Sequence, residues 1–241
     1  MFNNFIKGTA FLFLVASFSF CGVEEELKKI NSKLDDIGKR LTTLEKKVGS
    51  GAPSNNKNQK PKADPNAVYN IPVSNSVVLG NPNAKVTITK WTDFQWPYCA
   101  KSVSLIDEIL EKYPNDVKVV IKNFPLSFHK QAYKAAQYAL AAHKQGKYKD
   151  MYHKIMENFR QLKANEDLPL EYARDLGLDM NQFIRDFESP ETKSQIDLEI
   201  KQLRESGIPR LAVPKFLVQG KEPQGRDIAT FSAMIDAELK K

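Results

Sequence analysis

The chain has 241 residues, of which 41% are hydrophobic and 27% charged, so it is long enough for one full-sized core with further segments outside it. Its formal net charge is +7, but lysine and arginine are spread over nearly every segment, and this distribution argues against a nucleic-acid partner. The two cysteines, Cys21 and Cys99, lie far apart in the sequence, which argues against a disulfide framework.

The N-terminus has the pattern of an export signal. Lys7 follows a short polar start, and residues 8–20 (GTAFLFLVASFSF) form a run without charge. At roughly 1.5 Å per residue, this run is too short to cross a hydrocarbon layer about 30 Å thick comfortably. An acidic triplet, residues 24–26, follows almost at once. We therefore predict a signal peptide over residues 1–20 and an exported protein of the periplasm or cell envelope.

Cys21 ends this run and resembles the lipid-modified first residue of a mature bacterial lipoprotein. Such a cysteine usually follows a small residue, whereas Phe20 stands here. Two alternatives remain open: ordinary cleavage after Ser19, or an uncleaved N-terminal anchor. We predict lipidation of Cys21 and attachment to a membrane through it.

Apolar residues recur in alternating steps of four and three over residues 23–48. They are Val23, Leu27, Ile30, Leu34, Ile37, Leu41, Leu44 and Val48. So narrow a stripe is typical of a coiled-coil seam, whereas a helix packed on the body of its own chain usually shows a wider one. Leucine at position a with isoleucine at position d favours trimers or tetramers. The pattern predicts a coiled-coil stalk over residues 21–48 and a homo-oligomer formed through residues 23–48.

A composition shift separates this stalk from the rest of the chain. Residues 49–68 have no apolar periodicity and are rich in Gly, Pro, Asn and Lys. Such a segment is typical of a flexible linker. We predict a globular head over residues 69–241.

The head begins with a β-α-β pattern. Residues 85–91 (KVTITKW) and 117–122 (VKVVIK) are rich in β-branched residues and predict two strands. Between them a helix is expected to begin around Pro97. Its apolar residues fall on one face; they are Val103, Ile106, Ile109 and Leu110.

The remainder of the head is mainly helical and closes with a strand and a helix. Residues from about 129 to 206 predict helices, and residues 213–218 predict a strand with a proline near its start. A turn near Gly220 and an amphipathic helix over residues 228–239 follow.

Several short stretches of the head match one known pattern. The strand residues 86–88 are followed by Asp93-Phe94-Gln95-Trp96-Pro97-Tyr98-Cys99. Three further stretches agree: Tyr69-Asn70-Ile71-Pro72 with Leu79-Gly80, Lys122-Asn123-Phe124-Pro125-Leu126 with Phe128-His129, and Val213-Pro214 before Phe216. Together they resemble the DsbA-like thioredoxin-fold oxidoreductases, whose motif is Cys-Pro-Tyr-Cys at the start of the first long helix.

The resemblance implies an α/β thioredoxin fold with a helical insertion, preceded here by the N-terminal coiled-coil helix. It implies that Pro214 is a cis-proline facing the active site and that the backbone of Val213 accepts an extended peptide. The substrate-binding residues it indicates are Trp96, Pro97, Tyr98, Val213 and Pro214.

The family's chemistry needs two cysteines, and this chain has one of them. In the family the first cysteine, at a helix N-terminus, is the nucleophile, and the second releases the substrate. Trp96 stands at the first position and Cys99 at the second. Two interpretations follow. The protein is either a pseudoenzyme that binds extended or unfolded polypeptide or a partner protein, or a monothiol oxidoreductase in which Cys99 is catalytic.

Other candidate residues are weaker. Cys99 could equally be a small apolar core residue, and Trp96 could either anchor a peptide or fold onto Tyr98 or Phe94 and close the groove. Lys90 and Asp93 could tune a thiol, although charged residues at strand ends are usually solvated. Phe128-His129 is expected to shape the turn after the second strand. Because His129, His143, His153 and Cys99 lack metal-ligand spacing, we predict no metal site and no cofactor.

Overall fold

The computed structural model describes residues 24–43, 64 and 66–241. These residues belong to two units, one within residues 1–59 and the other within residues 60–241. The signal peptide, Cys21, most of the predicted linker and three of the seam residues (Val23, Leu44 and Val48) lie outside the described residues. Within the described ranges, no helix combines the length and the apolar character needed to cross a membrane.

In the first unit, residues 24–43 form helix α1. Every described residue of α1 is exposed. Its apolar positions are large aliphatic side chains, each between 51% and 58% exposed: Leu27, Ile30, Leu34, Ile37 and Leu41. The helical periodicity expected from the sequence is therefore present, and its apolar stripe faces solvent.

The second unit is built on a four-stranded mixed sheet. Its strands are β1 (Val77–Gly80), β2 (Val86–Thr92), β3 (Val117–Asn123) and β4 (Lys215–Val218), in the order β1-β3-β2-β4. The central strands β2 and β3 are parallel, while β1 and β4 run antiparallel to their neighbours. The β-branched residues that predicted β2 and β3 fill the middle of this sheet, since Val86, Ile88, Val117 and Val119 are fully buried.

Helices cover this sheet. Between β2 and β3 lie α2 (Pro97–Lys101) and α3 (Val103–Lys112). Between β3 and β4 lie α4 (Ala132–His143), α5 (Tyr148–Glu157), a 3₁₀ turn (Gln161–Lys163), α6 (Leu168–Asp175), α7 (Met180–Glu188) and α8 (Pro190–Arg204). Helix α9 (Ile228–Leu239) follows β4. The β-α-β unit, the helical stretch and the last helix are all present as predicted.

Local capping explains where the later helices begin. The hydroxyl of Ser189 accepts a hydrogen bond from the N–H of Thr192 at 3.1 Å, and Pro190 occupies the first turn of α8. At the start of α9, the carboxylate of Asp227 accepts the N–H of Thr230 at 2.9 Å. Each cap satisfies a backbone donor that the helix itself leaves unpaired.

Three local features differ from the sequence-based expectations. Strand β1 was not predicted, and β4 begins at Lys215 rather than at residue 213, because Pro214 has no N–H to donate to a ladder. The helix after Pro97 is broken at Ser102, whose hydroxyl donates to the carbonyl of Cys99 at 2.7 Å. Such a side-chain bond to the preceding turn bends helices.

Candidate functional site

The sheet brings the two predicted site segments to one edge. Strand β2 leads into residues 93–99, and β4 follows residues 213–214. Because β2 and β4 are antiparallel with Trp91 opposite Lys215, the end of β2 and the start of β4 lie side by side. The Val213–Pro214 peptide bond is cis, as the resemblance implies.

Cys99 lies in the first turn of α2 and is completely buried. The backbone N–H of Asp93 donates to its Sγ at 3.4 Å. Burial raises the pKa of the Cys99 thiol to about 11, although this hydrogen bond and the nearby charge of Lys90 oppose the shift. At neutral pH the side chain is therefore a thiol rather than a thiolate.

Lys90 of β2 is also completely buried. Its Nζ donates to the hydroxyl of Tyr152 at 2.7 Å and lies 5.3 Å from the centre of the Tyr152 ring and 5.6 Å from that of Phe216. Burial lowers the pKa of Lys90 to about 8, because a charged amine loses its hydration there. The expectation of a solvated lysine at the strand end is wrong, since β2 is a central strand covered by the helical insertion.

Asp93 is likewise buried rather than solvated, and its carboxylate joins two segments. Oδ1 accepts the N–H of Gln95, and Oδ2 accepts the N–H of Leu126, each at 2.7 Å. The same Oδ2 lies 3.0 Å from Nδ1 of His129. The carboxylate thus fixes the segment after β2 against the segment after β3.

A second set of hydrogen bonds connects the segment after β2 to the segment after β3. The Nε2 of Gln95 donates to Oε1 of Gln131 at 2.9 Å, and the backbone N–H of Gln131 donates to Oε1 of Gln95 at 2.8 Å. These reciprocal hydrogen bonds and the Asp93 contacts hold the approach to α2 in one arrangement relative to the start of α4.

Above these ties lies a cluster of four rings, which we call the aromatic patch: Trp96, Tyr98, Phe128 and His129. The Trp96 ring centre lies 5.4 Å from that of Tyr98, 6.3 Å from that of Phe128 and 5.6 Å from that of His129. Tyr98 is 57% exposed and Phe128 is 65% exposed, whereas Trp96 and His129 are half-buried. The patch therefore presents a wide aromatic surface to solvent.

The Trp96 ring contacts one of the two neighbours expected if it folds down and closes the groove. The ring packs against Tyr98 and not against Phe94, which is buried and meets Tyr152 edge-on at 5.6 Å. Phe128, expected only to shape a turn, is part of the same surface. The sequence does contain one indication that Phe128 lies near Trp96. Phe128 and His129 follow β3, Trp96 follows β2, and residues that follow two parallel strands lie at the same edge of the sheet.

The remaining predicted substrate-binding residues are Pro97, Val213 and Pro214. Pro97 occupies the first turn of α2 and is half-buried, while Val213 and Pro214 are buried. The ammonium of Lys101 lies 5.7 Å from the centre of the Tyr98 ring. Elsewhere, Nε2 of His153 lies 3.2 Å from Asp107, and His143 ends α4. In the part of the chain that the structure describes, no three His, Cys, Asp or Glu side chains are grouped to hold a metal ion.

A family model described as thioredoxin matches residues 73–237. The chain belongs to the thioredoxin family. With its α/β sheet and the helical insertion between β3 and β4, this thioredoxin-family chain has the DsbA-like form of the fold that the sequence predicted.

Solved structures support this assignment. A thioredoxin-like oxidoreductase from Silicibacter pomeroyi is 29% identical with a TM-score of 0.60, and the match covers 70% of this chain and 94% of that one. The α-DsbA1 of Wolbachia pipientis shares the fold at 17% identity and a TM-score of 0.61, over 70% of this chain and 94% of its own.

A curated relative is the Na⁺/H⁺ antiporter NhaA of Herminiimonas arsenicoxydans, which is 28% identical over 164 residues. The match covers 68% of this thioredoxin-family chain and 25% of the antiporter. The chain thus spans about a quarter of the length of the curated relatives it matches.

Proposed function

We propose that this DsbA-like protein binds extended or unfolded segments of other polypeptides at its aromatic patch and carries out little or no thiol–disulfide exchange. The observation that carries the proposal is the burial of Cys99 together with a tryptophan at the position of the family's first cysteine. The residue three positions earlier is Trp96, and the thiol itself is inaccessible with a pKa of about 11.

A disulfide relay needs a thiolate that attacks and a second thiol that resolves the mixed disulfide. Trp96 has no sulfur and forms no mixed disulfide. Cys99 is protonated at neutral pH and completely buried, and a buried thiol is a poor nucleophile. Neither half of the relay is in place.

The aromatic patch supplies what a binding function needs. Exposed aromatic side chains bury a large apolar area with few rotatable bonds, and they are over-represented among residues that dominate binding energy. The main chain of Val213 and Pro214 lies at the same sheet edge, before β4. Because these two side chains are buried, we propose that an extended segment pairs with their backbone while its apolar side chains lie on the patch.

The proposal places this head outside the cytoplasm. Its support is the sequence: the signal-like residues 1–20, Cys21 as a lipidation site and the linker-like residues 49–68. In this arrangement the domain over residues 69–241 acts in the periplasm or cell envelope, held to a membrane by the lipid on Cys21.

A disulfide-reduction assay and a disulfide-formation assay test the absence of exchange. We expect the wild-type protein and a Cys99→Ser variant to give the same rates, close to those of buffer alone. Rates well above the Cys99→Ser control would show a monothiol oxidoreductase and would refute the proposal.

Fluorescence anisotropy with labelled, reduced and alkylated α-lactalbumin tests binding, since this probe stays unfolded and has no thiol. Removing an aromatic anchor typically costs about 2 kcal/mol, so Phe128→Ala and Trp96→Ala should each weaken binding roughly 30-fold. Ile184→Ala on α7 is the matched control, because Ile184 is 42% exposed and lies outside the patch. Equal affinity for all four proteins would contradict the assignment of the patch.

A further inference from the structure

Helix α1 has an apolar stripe that is exposed. Its five aliphatic residues recur at steps of three and four and remain more than half exposed (Leu27, Ile30, Leu34, Ile37 and Leu41). The outer positions are all polar: Lys28, Lys29, Ser32, Asp35, Asp36, Lys39, Thr42 and Thr43. Most helical stability in proteins comes from packing of the apolar face, and α1 alone leaves that face exposed.

We propose that this stripe is covered by copies of the same chain, in a parallel coiled coil of three or four strands. The proposal does not depend on the function of the head. The stripe is only two heptad positions wide, which matches the seam of a coiled coil, and a repeated seam is complementary to itself. Leucine occupies the a positions and isoleucine the d positions, a combination that favours three or four strands over two.

Charges beside the seam are compatible with the parallel orientation. In a parallel coiled coil, a g residue meets the e residue five positions further along its neighbour. Within the described residues this rule pairs Glu26 with Asn31 and Lys33 with Gly38, so no like charges meet across the seam.

The molecular mass of the exported, processed protein in mild detergent tests the assembly. Wild type should sediment as three or four chains. Ile30→Lys with Ile37→Lys should give single chains, because two ammonium groups per chain enter the seam. Ser32→Lys with Thr43→Lys adds the same charge to the outer face and should leave the mass unchanged.

Lysine is at least as good a helix former as isoleucine, so a loss of assembly in the seam variant reports lost contacts rather than a lost helix. The thermal unfolding of the head, followed by tryptophan fluorescence, should be the same in all three proteins. A wild-type monomer or dimer, or equal masses for the two variants, would overturn the proposal.

Orientation is tested by cross-linking in a Cys21→Ser background. In a parallel coiled coil, Leu27→Cys places thiols of neighbouring chains in the same layer, and mild oxidation should yield covalent dimers. Ser32→Cys is the control because it lies on the outer face. Cross-linking of Leu27→Cys that is no stronger than that of Ser32→Cys would rule out the parallel arrangement.

Discussion

The carboxylate of Asp93 lies 3.0 Å from the imidazole Nδ1 of His129, and this contact joins the buried end of one strand to a ring of the exposed aromatic patch. The same carboxylate accepts the N–H groups of Gln95 and Leu126. One buried anion thus supports both segments from which the patch rises. The shape of the patch depends on a residue that a ligand on the surface does not touch.

Replacing that anion should destabilise the head. Asp93→Ala leaves the N–H groups of Gln95 and Leu126 without their acceptor, and each lost bond to a charged group costs about 1.5–3 kcal/mol. We expect the free energy of unfolding in urea to fall by about 3–5 kcal/mol. Asp93→Asn keeps one carbonyl acceptor and should lose less. A change below about 0.5 kcal/mol in Asp93→Ala would contradict this role.

The thiol of Cys99 should react with Ellman's reagent far more slowly in the native protein than after unfolding. A pKa of about 11 leaves about one thiol in 10⁴ ionised at pH 7, compared with about one in 100 at the ordinary cysteine pKa of 9.0. Ionisation alone therefore predicts a native rate about 100-fold lower, and burial lowers it further. The measurement uses a Cys21→Ser background with and without guanidinium, and comparable rates in the two conditions would contradict the burial.

Restoring the missing sulfur should restore an internal disulfide. Residue 96 directly precedes α2, and residues three apart at a helix start lie about one turn from each other on one face. We expect Trp96→Cys to lose two thiols on mild oxidation and to gain them back on reduction. In Tyr98→Cys the new side chain points to solvent while Cys99 points inward, so both thiols should stay reduced and be titratable once the protein is unfolded in guanidinium. Failure of Trp96→Cys to close would show that this scaffold departs from the family geometry.

The buried amine of Lys90 should make stability depend on pH. Its pKa is about 8 in the folded state and 10.5 in the unfolded reference, so between these values the unfolded chain binds a proton that the folded chain does not. Stability must therefore rise with pH across this window and fall as pH drops through 8. Relative to Lys90→Met, the wild-type free energy of unfolding should increase by about 2–3 kcal/mol from pH 7 to pH 10. Parallel pH profiles for the two proteins would contradict the shift.

Regular, local patterns were sufficient to predict most of the fold. The last helix lies at Ile228–Leu239, as its periodicity predicted, and the β-α-β unit follows from two runs of β-branched residues. Strand β1 has only four residues, too few to show alternation, and was missed. The break at Ser102 coincides with a side-chain hydrogen bond to Cys99, which a hydrophobic pattern does not reveal.

The site was predicted only in part, because its burial is decided by distant residues. The resemblance to the DsbA-like family identified the two segments that meet at the sheet edge, residues 93–99 and 213–214. Lys90, however, is enclosed by Tyr152, 62 positions later in the chain, and nothing near Lys90 in the sequence signals that partner. Phe128 and Trp96 are also far apart in the sequence. They meet because β2 and β3 are parallel, so the segments that follow the two strands lie at the same edge of the sheet.

Because Cys99 is inaccessible, redox partners and oxidants have little access to its thiol. A dithiol enzyme must be recharged by a redox partner after each turnover, and peroxides that reach its thiolate can convert it irreversibly to sulfinic or sulfonic acid. Cys99 is shielded from both kinds of reagent by the same packing. If a polypeptide binds at this surface as proposed, its binding requires no reactive thiol and therefore does not depend on the oxidation state of the surroundings.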